Sequence, residues 1–303
     1  MSGETVERSP PSVTLPQWAC YGGTLLLFLV TILLSILTAS GFAASGATLP
    51  NPENPGNLLY LVGAVAVGTL VFLAIAKFDL GTELVQVGIV GLVGYETFFV
   101  FTALGVLSPV AAGIVGLLAA VVFYLYPTWY VIDAAAVLFG TAAAGIFGAS
   151  LVPGLVVVLL VVAAAYDLIA VHGTGHMETL AESMTEVRVP GLFVVPQDPR
   201  GGVDSVFGDG GGAALGVGDA VFPGLLAVSA QQFLTASPVA LGIGLPALAT
   251  TVGALGGVVA TYVVLVRTGD AQPALPLANA GALIGFFAGA LAAGISPLAA
   301  VGL

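Results

Sequence analysis

The sequence predicts an all-α polytopic membrane protein with nine transmembrane helices, a cytoplasmic N-terminus and an extracellular C-terminus. Three observations carry that prediction. The 303 residues are 58% hydrophobic and only 7% charged, with a mean hydropathy of +1.12, whereas a soluble domain averages about 25% charged residues. Long apolar runs recur between proline-rich or polar breaks. The five basic residues also fall on one side of the membrane if nine of those runs span it.

Taken in order, residues 1–17 form a short cytoplasmic tail of acids, prolines and one base, Arg8. They lack the basic region of a signal peptide, and the run Trp18–Ala39 is long enough to be a retained span. Further spans are predicted over Leu58–Ile75, Leu84–Ala103, Pro109–Tyr126, Trp129–Ala149 and Leu151–Val171, which complete a six-helix part over residues 18–171. The breaks are turn chemistry: Asn51-Pro52-Glu53-Asn54-Pro55-Gly56-Asn57, Lys77-Phe78-Asp79, Ser108-Pro109, Tyr126-Pro127 and Ser150 to Pro153. Residues 172–213 make the longest and most polar loop, with Glu178, Glu182, Glu186, Asp198, Asp204 and Asp209. Its glycine-rich later part is expected to be mobile. Met177–Val187 is expected to continue the sixth helix into water, and Val189–Val195 is apolar and β-prone. A three-helix part, residues 214–303, follows with spans at Ala214–Leu234, Val239–Val266 and Leu277–Val301, the first two separated at Ser237-Pro238.

With the N-terminus inside, Arg8, Lys77, Arg188, Arg200 and Arg267 all lie on the cytoplasmic side. The outer loops, including Ser40–Asn57, hold none, as the orienting bias of Lys and Arg requires. Sixteen acids against five bases give a net charge of −11. That balance resembles the acidic surfaces of salt-adapted archaeal proteins, where excess carboxylates keep a surface hydrated although salt screens charge. The plainer reading is an acidic loop and little else. No basic patch exists, so nucleic acid is excluded as a partner. The single cysteine, Cys20, excludes an intrachain disulfide and a Cys-rich metal site.

Within the spans, acids are the informative residues. A carboxylate at membrane depth costs about 2.5–3.5 kcal/mol even on a lenient insertion scale. Asp167 lies near the end of the sixth predicted span and Asp219 near the start of the seventh, on either side of one loop. Both therefore fall roughly 6–8 Å inside the cytoplasmic boundary. Matching depth is what a carboxyl pair sharing one water requires. The competing explanation, strongest for Asp219, is an acid that caps a helix N-terminus. Asp133 is at similar depth, so depth alone leaves it in contention, and Glu96 is mid-membrane. Four intramembrane acids with no intramembrane base also fit a proton- or cation-coupled transporter. Gly216 and Gly218 remove side chains beside Asp219 and allow a backbone to approach, while Pro223-Gly224 would loosen that helix. Pro273-Ala274-Leu275-Pro276 opens the ninth span, and prolines at a helix start are ordinary. His172, His176 and Glu178 superficially suggest a metal site, but Gly173 and Gly175 weaken the helix that would align them. No Gly-x-Ser-x-Gly turn is present.

Three motifs in order resemble the GxGD intramembrane aspartyl proteases, the presenilins and signal peptide peptidases. They are Tyr166-Asp167, Gly216-Val217-Gly218-Asp219 and Pro273-Ala274-Leu275-Pro276. The chain is most similar to an archaeal presenilin homologue. The resemblance implies that Asp167 and Asp219 are the catalytic pair, sharing a proton and activating water for attack on a peptide carbonyl. It implies that Tyr166, Gly216, Gly218 and the Pro-Ala-Leu-Pro element support the site, with no metal or other cofactor. Substrates would be transmembrane helical segments of other proteins in the cell membrane, here of a salt-adapted archaeon; a homo-oligomer is left open. A substrate helix must unwind before attack, and pairing with a strand edge would satisfy its freed backbone groups. Val189–Val195 is expected to supply that edge. The rival readings are the transporter, which would favour related halves that the sequence lacks, and a structural subunit, against which the cost of the acids argues.

Overall fold

The computed structural model describes residues 14–78, 82–174, 190–200, 202–203, 206, 211–269 and 273–303. Among the described residues run nine helices of 17 residues or more. They are α1 (Gln17–Ala44), α2 (Gly56–Phe78), α3 (Thr82–Ala103), α4 (Pro109–Leu125), α5 (Trp129–Gly148), α6 (Pro153–Thr174), α7 (Val217–Phe233), α8 (Leu245–Thr268) and α9 (Leu275–Ala292). A short α10 (Pro297–Ala300) closes the chain. Two small antiparallel ladders interrupt this plan: β1 (Leu192–Pro196) with β2 (Gly212–Gly216), and β3 (Pro238–Ala240) with β4 (Ile243–Gly244).

The fold is therefore mostly helical rather than all-α, and the corrections fall in its last third. The expected seventh span began at Ala214, but Gly212–Gly216 is strand and the helix starts only at Val217. The eighth begins at Leu245 because Pro238–Gly244 forms the second ladder. The ninth helix ends at Ala292, where Gly294 takes φ +79° and turns the chain into α10. The expected helical extension over Met177–Val187 lies outside the described residues, as do Glu178, Glu182, Glu186, Asp204, Asp209, His176 and Arg188.

Five of the helices are long and apolar enough to cross a membrane: Gln17–Ala44, Val85–Ala103, Trp129–Gly148, Leu245–Thr268 and Leu275–Ala292. Their polarity is inverted relative to a soluble bundle. On α1, Thr24, Thr31, Ser35 and Thr38 are buried along one face, and each hydroxyl donates to a carbonyl of the preceding turn, as in Ser35 Oγ to Thr31 O at 2.7 Å. Large apolar side chains lie outside as well as in the core, with Val252 of α8 and Ile284 of α9 about 70% exposed. Satisfied hydroxyls inside with large apolar side chains on the outer surface is a pattern that lipid, not water, stabilises.

The shorter α7 is the hub. Every residue from Pro223 to Ala230 is buried, and α1, α5, α6, α8 and α9 all pack against it. Glycine permits the closest of these approaches: a Cβ on Gly148 of α5 would lie 2.7 Å from Val228 Cβ and 2.9 Å from the Leu225 carbonyl. Ser229 Oγ donates to Leu151 O at 2.6 Å, tying α7 to the segment that leads into α6.

Helices α8 and α9 form the tightest pair, because Gly253 and Gly281 set their backbones against each other. A Cβ on either would fall on the other's carbonyl group. Gly281→Val should therefore destabilise the protein by at least about 1–3 kcal/mol, the usual cost of overpacking. The check is a drop in thermal midpoint in detergent solution; an unchanged midpoint would contradict this packing.

Candidate active site

Asp219 stands where strand becomes helix. β2 ends at Gly216, and Asp219 is the third residue of α7, so it lies in the first turn, nearer the helix start than expected. Its Oδ2 accepts the Gly216 N–H at 3.2 Å. A carboxylate here is also favoured by the positive end of the helix dipole. A Cβ added at Gly216 would sit 3.1 Å from Asp219 Oδ2, so the carboxyl would have to give way by a few tenths of an ångström. Gly218 differs: it is exposed, and a Cβ there would meet nothing within 4 Å. The approaching group at Gly216 is thus the carboxyl of Asp219 itself, while Gly218 faces open space. Pro223 has no N–H to donate to the carbonyl of Asp219, four residues earlier, which leaves that acceptor without its helical partner.

Asp167 is half-buried on α6, which packs against α7, and Asp219 feels the charge of Asp167. Tyr166 is 73% exposed, on the outside of the fold. Pro273, Ala274, Leu275 and Pro276 are half-buried and start α9, with Ala274 as its N-cap. That helix packs on both α6 and α7. Buried Asn279, one turn into it, donates from Nδ2 to Leu160 O of α6 at 3.0 Å, and its Oδ1 has no partner among the described residues. On α8, Tyr262 is in electrostatic range of Asp219, shares a 2.6 Å hydrogen bond with Thr24 Oγ1 and stacks on Tyr21 with ring centroids 4.6 Å apart. Sequence reading missed Asn279 and Tyr262. An amide one turn beyond Pro276 in an apolar helix was the available signal for the first; nothing marked the second.

The hairpin that leads into Asp219 is wedged between α1 and α5. Its register pairs Leu192 with Gly216, Val194 with Ala214 and Pro196 with Gly212. Beyond the ladder, Gln197 N donates to Gly211 O and Val217 N to Gly191 O. The odd-numbered β1 residues therefore exchange bonds with β2, and the even-numbered ones turn their backbone groups away from it. Asp133 takes one such group: its Oδ1 accepts the Val194 N–H at 2.8 Å. Gln17 takes another, donating from Nε2 to Gly212 O at 2.6 Å while its Oε1 accepts from Gln197 Nε2 at 2.6 Å. Trp129 Nε1 donates to Pro199 O at 3.1 Å. Ala214 alone is exposed within β2, and its outward N–H and C=O have no partner among the described residues.

Of the expected strand over Val189–Val195, Leu192–Val195 lie in β1, where the outward Val194 N–H goes to Asp133; β2 carries a further outward edge at Ala214. Asp133, which sequence depth left in contention, accepts the Val194 N–H of the hairpin through its Oδ1. Glu96 is buried on α3, whose main neighbours are α1, α4 and α5, away from α6 and α7.

The family model for signal-peptide peptidase, presenilin aspartyl protease matches residues 25–295. The fold is similar to a solved presenilin family intramembrane aspartate protease in a C222 crystal form, at 30% identity and TM-score 0.68, over 90% of this chain and 99% of that one. A P2 crystal form gives 30% identity and TM-score 0.64 over 89% and 97%. No curated protein matches the sequence. Gly216→Ala tests the fit of the Asp219 carboxyl. The backbone there is ordinary, at φ −64° and ψ 137°, so the fold should survive while peptide hydrolysis falls about tenfold or more through displacement of the carboxyl. Equal hydrolysis rates for variant and parent would show that the contact does not matter.

Proposed function

The chain belongs to the signal-peptide-peptidase and presenilin family of intramembrane aspartate proteases, and we propose that Asp167 and Asp219 are its catalytic pair. The observation that carries this reading is the packing of α6, which bears Asp167, on α7, which bears Asp219 at its strand-to-helix junction, near enough for the charge of one to act on the other. Like charges so placed share a proton and titrate as a unit. The ionised member withdraws a proton from water, which attacks the scissile carbonyl. The protonated member donates a hydrogen bond to that carbonyl oxygen and stabilises the tetrahedral diol. Protonation of the departing amine then breaks the carbon–nitrogen bond, and the pair returns to its starting charge.

Substrates in this reading are transmembrane helices of other membrane proteins, cut near their cytoplasmic ends. Their peptide groups are locked in helical hydrogen bonds and must be freed first. The outward N–H and C=O of Ala214 offer a place for an unwound segment to pair, three residues from the start of α7. Open space beside Gly218 admits its backbone, and the Pro-Ala-Leu-Pro element borders the site through the packing of α9 on α6 and α7. Nine spans with the N-terminus inside and the C-terminus outside place both aspartates toward the cytoplasm, supported by the one-sided distribution of bases. The transporter reading is not favoured, since the family is one of proteases.

Cleavage of a transmembrane peptide by purified protein should fall to background in Asp167→Asn and in Asp219→Asn while thermal midpoints stay near that of the parent. Activity surviving either change would sink the pair. Topology has its own check in a Cys20→Ser background of intact cells. A cysteine introduced by Asn54→Cys should react with an impermeant thiol reagent, and one introduced by Asp198→Cys should not; the reverse pattern would invert the orientation.

A further inference from the structure

Asp133 is one of two buried acids, with Glu96, that the mechanism leaves unused. It is 2% exposed on α5, its Oδ1 accepts the Val194 N–H at 2.8 Å, and its Oδ2 is buried with no partner among the described residues. A carboxyl in that state is a poor stabiliser, because an apolar residue of similar size would avoid its desolvation. What it supplies is an acceptor at a fixed point on a rigid helix. The hairpin needs one. The chain between β1 and β2 runs from Gln197 to Gly211, so no tight turn sets the register. β2 is Gly212, Ala213, Ala214, Leu215 and Gly216, with little side-chain bulk to key it against β1. A one-residue slip would exchange the outward and inward backbone groups. If β2 moved by one residue, Ala214 would turn away from the open edge and Asp219 would lose the Gly216 N–H.

Resting on the protease reading, we propose that Asp133 is a positioning residue for the cleavage reaction: by holding Val194 it fixes the hairpin whose open edge and terminal Gly216 determine which substrate bond meets Asp219. The bond to Asp133 lies outside the ladder, so it can be removed without breaking a strand-to-strand hydrogen bond. Val194→Pro deletes the donor, and Asp133→Leu deletes the acceptor. Each single variant strands one buried polar group, but the Asp133→Leu/Val194→Pro pair leaves neither unsatisfied and is expected to fold.

The experiment incubates full-length protein in bicelles with one transmembrane peptide and reads product masses beside kcat/KM. Wild type should give one dominant cut that disappears in Asp219→Asn. The double variant should spread its cuts over neighbouring bonds and lose about tenfold or more in kcat/KM. Asp133→Asn, which keeps an acceptor oxygen, should restore the single dominant mass. A double variant that cleaves at the same bond with the same efficiency overturns the role of Asp133 and leaves the protease reading standing. Absence of any Asp219-dependent cleavage in wild type overturns both.

Discussion

A backbone N–H or C=O shut away from water must find a partner. Helices meet this condition internally, and most of the described residues are helical. The β1–β2 hairpin cannot, and the structure around it follows from that. Asp133 reaches it from α5, Gln17 from the start of α1, and Asp219 from its own helix. Each takes an outward backbone group that the ladder leaves over. The Asp219 carboxyl is thus part of the same accounting as the Asp133 and Gln17 side chains that hold the hairpin.

Burial of α7 is the second half of the arrangement. Five helices enclose it, and glycines on α5 let that enclosure close. A short polar-tipped helix of this kind could not face lipid along its length. Enclosed, it keeps the Asp219 end open toward the hairpin while its middle is fixed by Val228, Leu225 and the Ser229 bond to Leu151.

Much of this was legible in the residues, and the limits have physical causes. Helices α1 to α6 follow the predicted spans within a few residues, since Pro, Asn and Gly mark their ends. Ala214-Leu215-Gly216 reads as the start of a membrane helix, and Gly212-Ala213 as the end of the loop, because a short run of small apolar residues has no period to distinguish strand from helix. What makes it a strand is a partner from the far side of a long loop. Asp133 matches Asp167 and Asp219 in depth and cannot be set apart from them by sequence, because its partner is a backbone N–H 61 residues away. Asp167 and Asp219 were singled out by motif, not by energetics. Tyr262 gave no sign, as a tyrosine in an apolar helix is ordinary.

Ala214 presents a single residue's worth of unpaired edge. Two main-chain hydrogen bonds contribute roughly 1–3 kcal/mol in net terms, which is small against the cost of unravelling several turns of a membrane-embedded helix. In the proposed pairing the enzyme therefore pulls weakly. Selection then falls on the guest: segments whose helices are already frayed, kinked or rich in glycine are cut, and robust ones pass. Specificity of this kind is written in the mechanical weakness of the victim more than in any pocket of the host.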